Sequence, residues 1–164
     1  MKIVKNFLNQ NSFNAIEKVL FKPFNHFPWY LSQGVSEVYD GFSQLTHTFF
    51  EHDMKPNINS PYYDLIIPVL KILKPKQLYR IKANLLFKTH LSIEHGYHVD
   101  YPDCTTSILY LDTNNGYTKF KKSKKKIKSE RNKLVSFDSN LEHTGATCTN
   151  KPYRTVINFN YIIR

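Results

Sequence analysis

His98-Val99-Asp100 is the first place in the chain where residue type and spacing suggest chemistry. In an extended segment residues i and i+2 point to the same side, so an imidazole and a carboxylate converge there. With seven His and 13 acidic residues in the chain, the pair alone is weak evidence. His143 strengthens it, because it follows a strand-and-turn pattern from which a two-sheet fold would bring it back beside His98. Two His and one carboxylate form the facial set that holds a non-haem iron and leaves coordination positions open. Arg154 lies eleven residues further on, in the last strand pattern. Aimed inward, its guanidinium would clamp a carboxylate in bidentate fashion.

The elements that must position these residues divide at about residue 75. The first 75 residues read as helices and loops. Asn11 or Ser12 would cap a helix running through Leu20, with Phe13, Ile16, Val19 and Leu20 on one face. Ser60-Pro61 is a helix-start signal, followed by an apolar run with a kink expected at Pro68 and a stop at Pro75. Phe27-Pro28-Trp29-Tyr30 reads as an aromatic core plug. From Gln77 the period becomes two. Tyr79, Ile81, Ala83, Leu85 and Phe87 alternate with Arg80, Lys82, Asn84 and Leu86, as in a strand with unlike faces. Further strands are expected over 105–111, 133–137 and 153–163, the last placing Arg154, Val156, Asn158 and Asn160 on one face. Asn114-Asn115-Gly116 reads as a turn. Helices first and antiparallel strands afterwards predict a β-sandwich or barrel with helices packed outside. No repeat or Gly/Ser-rich linker interrupts residues 1–164, so one domain is expected, with a helical part over 1–75 and a β core over 76–164.

Composition narrows the function. The chain has 164 residues with 15% aromatics and only five Gly, which suits a strand-rich core. No apolar run approaches the ~20 residues of a membrane span, and the start turns polar at residues 9–11, which argues against a signal peptide. Cys104 and Cys148 form no CxxC pair, so a cytoplasmic, reducing setting is expected, without a disulfide framework or zinc finger. Residues 119–133 hold nine basic side chains and one acid, so they carry +8 of the formal +10. Without interleaved aromatics such a run reads as a solvated hairpin. Its binding alternative is a weak, unspecific and salt-sensitive contact with an anion or nucleic acid.

The motifs HGYHVDYPD, TTSILYLDTNNGYTKF, ERNKLVSFDSNLEHTGATCT and RTVINFNY, with LYRIKANL before them, resemble the Fe(II)- and 2-oxoglutarate-dependent oxygenases. The likeness is to the compact prolyl-4-hydroxylase-like branch of bacteria and phages, and it covers the chain from about Phe27 onward. It implies a double-stranded β-helix, the jelly-roll or cupin-like core, mainly β with N-terminal helices. It also implies hydroxylation of a C–H bond coupled to decarboxylation of 2-oxoglutarate to succinate and CO2. The cofactors implied are Fe(II), 2-oxoglutarate and O2, with ascorbate as a supporting reductant.

Carried over by position, His98, Asp100 and His143 would be the iron ligands and Arg154 would bind the distal carboxylate of 2-oxoglutarate. Asn84 would lie near the proximal carboxylate, and Tyr110 would reach the distal one. Leu86 departs from the pattern, since relatives often place Tyr there, and the Lys-rich hairpin is a second departure. The substrate would be a peptidyl residue or a small metabolite. A cupin-type isomerase or dioxygenase would not need an inward Arg154. The remaining rival is a non-catalytic jelly-roll module that binds an acidic partner or nucleic acid through residues 119–133. His95 is expected to be structural. His26, His47, His52 and His90 have no partner at metal-ligand spacing, and Cys104 has no assigned role.

Overall fold

A computed structural model of the protein describes residues 1–21, 26–37, 40–52 and 55–163. Eleven strands and two α-helices are found among them: β1 (Lys2–Val4), α1 (Gln10–Phe21), β2 (Tyr30–Gln33), β3 (Ser43–His52), β4 (Pro56–Ile58) and α2 (Ile67–Leu73) come first. Then follow β5 (Gln77–Phe87), β6 (Thr105–Tyr110), β7 (Tyr117–Phe120), β8 (Lys126–Lys128), β9 (Lys133–Asp138), β10 (His143–Gly145) and β11 (Tyr153–Ile162). All pairings are antiparallel. The larger sheet runs β1-β9-β6-β11-β5-β3-β2, with β4 on β3, and the smaller runs β10-β7-β8. This is the mainly β, jelly-roll core expected from the sequence.

The period of two in β5 and β11 has a direct structural meaning. One face of the large sheet packs Ile81, Ala83, Leu109, Leu134, Ile157, Phe159 and Tyr161 against Phe13, Ile16 and Leu20 of α1 and Val69 of α2. The opposite face looks toward the small sheet, and a second cluster of Ile108, Tyr110, Phe120, Ile127, Val135, Phe137 and Val156 fills part of the space between them. The polar side of β5 and β11 is thus turned inward, because the helices already occupy the apolar side.

Three expectations need correction. Residues 1–75 are not simply helical, since β1, β2 and β3 belong to the large sheet and β4 pairs with β3. The cap of α1 is Asn9, whose Oδ1 accepts the Ser12 N–H at 2.9 Å, two to three residues earlier than Asn11 or Ser12 would place it. Pro68 does not kink a helix: it stands in the first turn of α2, where a missing N–H costs nothing. The Ser60-Pro61 signal opens a short 3-10 turn, Tyr63–Ile66, and α2 ends at Lys74 in the left-handed conformation. Of the plug expected over residues 27–30, Phe27 fills the core, edge-on to Trp29 and tilted against His47, Phe49 and Tyr62, whereas Tyr30 is exposed. No helix among the described residues is long and apolar enough to cross a membrane.

Candidate metal centre and its cavity

The long connection between β5 and β6 folds back along β10. There His98 and His143 form an isolated antiparallel bridge, each donating its N–H to the other's carbonyl at 3.0 Å. Two residues beyond His98, Asp100 turns its carboxylate into the gap between the rings. Its Oδ1 lies 3.8 Å from His98 Nε2 and its Oδ2 lies 4.0 Å from His143 Nε2. The three donor atoms fall within 4.8 Å of one another, close enough to share one ion.

The state of these groups suits a cation. His98 Nδ1 donates to the Gly96 carbonyl at 3.2 Å and His143 Nδ1 to the Leu141 carbonyl at 3.0 Å. A carbonyl can only accept, so each proton sits on Nδ1 and each Nε2 presents a lone pair to the centre, the tautomer of a metal-ligating His. Burial lowers the His143 pKa despite the Asp100 charge, which keeps the ring neutral. For Asp100 burial acts upward, but the Arg80 charge above all, with the Asn160 amide, holds the carboxyl below its ordinary range. Arg80 NH2 donates to Asp100 Oδ1 at 3.1 Å, and Asn160 Nδ2 lies 3.4 Å from Oδ2.

The triad opens into a cavity of about 420 Å³ between the sheets. Its floor is a paired row of side chains from β5 and β11, in register Arg80 with Asn160, Lys82 with Asn158, Asn84 with Val156, and Leu86 with Arg154. A rim loop holding Ser36 and Glu37 closes one side. Asp40 Oδ2 accepts the Val35 and Ser36 N–H groups, and Ser36 Oγ accepts the Gly96 N–H, tying the rim to the strand before His98.

Arg154 is buried in the cavity wall. Its Nε donates to Ser129 Oγ at 2.9 Å and its NH2 to Thr118 Oγ1 at 3.1 Å, and no described carboxylate pairs with it. Gly116 makes room for it, since a Cβ there would stand 2.6 Å from Arg154 Cδ. A buried guanidinium held only by hydroxyls is a receptor for an anion from outside the chain.

The expected site residues are therefore placed unequally. His98, Asp100 and His143 converge, and Arg154 and Asn84 line the same cavity. Tyr110 does not line it. Its ring lies behind the wall, with the Arg154 guanidinium over it at 5.7 Å, and its hydroxyl donates to Thr118 Oγ1 at 2.8 Å, so it supports Arg154 from behind both directly and through Thr118. Leu86 is in the wall, as its alternation with Ala83 and Leu85 requires. His95 is buried against Phe42, apart from the triad.

Sequence reasoning missed Arg80 and Asn160 as partners of Asp100, Thr118 and Ser129 as partners of Arg154, and Lys82 and Asn158 in the floor. The signal for β5 was present, since Arg80 and Lys82 share a strand face with Asn84.

The Lys-rich stretch is a hairpin, β7–β8, followed by the entry to β9. Much of its charge is neutralised within the chain: Lys119 and Lys126 pair with Glu94, Lys121 with Glu142, Arg131 with Glu17, and Lys133 with Glu130. Nothing here supports a contact with nucleic acid.

No family model and no curated protein matches the sequence. Solved structures do match in fold. An oxidoreductase of the 2OG-Fe(II) oxygenase family from Burkholderia pseudomallei aligns with a TM-score of 0.74 at 12% identity, over 99% of this chain and 84% of that one. A prolyl hydroxylase from Trichoplax adhaerens, solved with a hypoxia inducible factor peptide fragment, aligns at 0.65 and 12% over 98% and 82%. A Pseudomonas putida prolyl-4-hydroxylase aligns at 0.65 and 10% over 98% and 91%. With its two facing sheets and this alignment over nearly its whole length, the chain has the fold of the 2-oxoglutarate- and Fe(II)-dependent oxygenases.

Proposed function

We propose that the protein is an Fe(II)- and 2-oxoglutarate-dependent oxygenase that hydroxylates a C–H bond. The observation that carries this reading is one cavity holding both a convergent His98, Asp100 and His143 set and a buried Arg154 without a carboxylate partner among the described residues. Iron chelated by 2-oxoglutarate would supply O2 activation, with succinate and CO2 as coproducts.

The chain's own part is positional. His98 and His143 would ligate through Nε2, with Asp100 as the carboxylate ligand. Arg80 and Asn160 keep that carboxylate ionised and oriented. Arg154, braced by Thr118 and Ser129, would take the distal carboxylate of 2-oxoglutarate, and Asn84, in the same cavity, would lie near the proximal one. Leu86, Ile108 and Val156 give the cavity apolar walls that limit water. Free Cys104 and Cys148 fit a reducing compartment such as the cytoplasm, which also preserves Fe(II).

A peptidyl residue is the first substrate class to try, because the Trichoplax neighbour was solved with a peptide. The rival reading, a binding module working through the basic hairpin, is weakened by the internal pairing of five of its cations. The deciding experiment is anaerobic addition of Fe(II) and 2-oxoglutarate, watching for the visible charge-transfer band of the chelate, followed by succinate assay in air. A band and succinate in the wild type, both lost in Asp100→Ala, support the assignment. Folded protein without a band rejects it.

A further inference from the structure

Three cations line the cavity, and two of them are engaged. Arg80 is bound to Asp100, and Arg154 is bound to Ser129 and Thr118 at the other end of the floor. Lys82 lies between them on the same face of β5, and its ammonium has no hydrogen-bond or ion-pair partner among the described residues. Across from it on β11, Asn158 has a buried side-chain oxygen with no donor. A partly desolvated ammonium without a counterion is costly, and the cost is relieved when an anion enters. Burial and the neighbouring Arg80 charge push the Lys82 pKa down, while Glu51 and Asp100 act the other way.

The cavity lining holds Arg80, Lys82 and Arg154 with Asp100 and Glu37, and Glu51 acts on Lys82 from beyond the lining, so the charges roughly balance while the Lys82 ammonium has no direct partner among the described residues. On the reading above, Fe(II) and the 2-oxoglutarate dianion enter together and cancel, so loading leaves this balance unchanged. Lys82 stands four residues along β5 from Leu86, the partner of Arg154, or about 13 Å of strand. A carboxylate seated on Arg154 therefore leaves the Lys82 position free.

We propose that Lys82 is a substrate-binding residue that receives a carboxylate of the substrate near the metal ligands, with Asn158 accepting an adjacent N–H or O–H. The molecule hydroxylated is then an acid: a carboxylate-bearing metabolite, or a peptide whose acidic side chain or C-terminus enters the cavity. This rests on the oxygenase reading for the word substrate, but the anion site itself does not.

Acetate is the probe. Isotope-labelled protein is titrated with sodium acetate and followed by amide NMR of β5 and β11, first metal-free and then loaded with Zn(II) and 2-oxoglutarate. We expect saturable shifts in both states. In the loaded state Lys82→Gln should weaken acetate at least tenfold, while Lys82→Arg stays within about threefold of wild type. Acetate binding that is absent in the wild type, or equal in Lys82→Gln, overturns the proposal. So does a loss of 2-oxoglutarate affinity in Lys82→Gln, which would make Lys82 a cosubstrate anchor. If wild type fails to bind 2-oxoglutarate at all, the oxygenase reading falls, and the metal-free titration still decides whether Lys82 holds a carboxylate.

Discussion

His98 and His143 are joined through their backbones, each N–H bound to the other's carbonyl at 3.0 Å, and this holds their ring centroids 4.9 Å apart. Main-chain hydrogen bonds therefore help to set the approach of the two imidazoles. The amide protons of both residues should be protected from exchange in metal-free protein, and adding Fe(II) or Zn(II) should change their rates little. Fast exchange without metal, slowed by metal, would mean that the ion assembles the site.

Asp100 depends on Arg80 and Asn160 for its orientation. Replacing Arg80 by Gln removes the guanidinium and leaves all three donor atoms in place. Metal affinity should fall about 10- to 100-fold with the fold retained, as for other partners that orient a ligand. Titration with Co(II), read in the visible spectrum, measures it, and unchanged affinity would show that Asp100 needs no such support.

Gly116 is the clearance for Arg154. A Cβ at that position would also meet Asn114 Oδ1 and the Ala146 carbonyl, both at 2.9 Å, and the carbonyl is a backbone atom that cannot swing aside as a side chain can. Gly116→Ala should cost about 1–3 kcal/mol of stability. It should also weaken 2-oxoglutarate binding by displacing the guanidinium. Thermal unfolding and the charge-transfer titration report the two effects separately.

Arg154→Gln removes the cationic end of the cavity while keeping a hydrogen-bonding side chain. If the guanidinium anchors the cosubstrate, the Kd for 2-oxoglutarate should rise by the equivalent of about 2–5 kcal/mol. Fe(II) binding should change little, because Arg154 makes no contact with the triad. A comparable loss of iron would contradict this division of labour.

Asp112 gives the fold a pH dependence. Burial outweighs the Thr155 N–H and the Arg154 charge and pushes its carboxyl up to about 6. The native state therefore holds this proton more tightly than the unfolded chain. Its contribution to stability is full below pH ~4 and is lost as pH rises to about 6, a change of about 3 kcal/mol. Asp112→Asn should flatten the melting temperature between pH 4 and 7. A wild-type stability that instead rises across this range would show that other groups dominate.

Much of the site was legible because it is local. His98 and Asp100 are two residues apart on extended chain, and the alternation in β5 and β11 places Asn84 and Arg154 on definite faces. The order His-x-Asp, His, Arg then carried the family resemblance and, with it, the jelly-roll fold. Strand β3 was not legible. The register shift between Thr48 and Phe50 buries Phe49 and Phe50 in succession, which erases the period of two.

What only the tertiary structure decided is which way each polar face looks and which groups find partners across long sequence separations. By sequence, Arg80 and Lys82 share one face of a strand with Asn84, and their own roles are not read from it. They are internal because α1 and α2 cover the opposite face and the small sheet closes over theirs. Tyr110 lies on the inner face, as its position required, but its hydroxyl is taken by Thr118, a contact no spacing rule contains. The sequence by itself determined the kinds of donor and their local geometry. The packing of two sheets and a helical layer decided that Arg80 would find Asp100 and that the Lys82 ammonium would be left without a partner among the described residues.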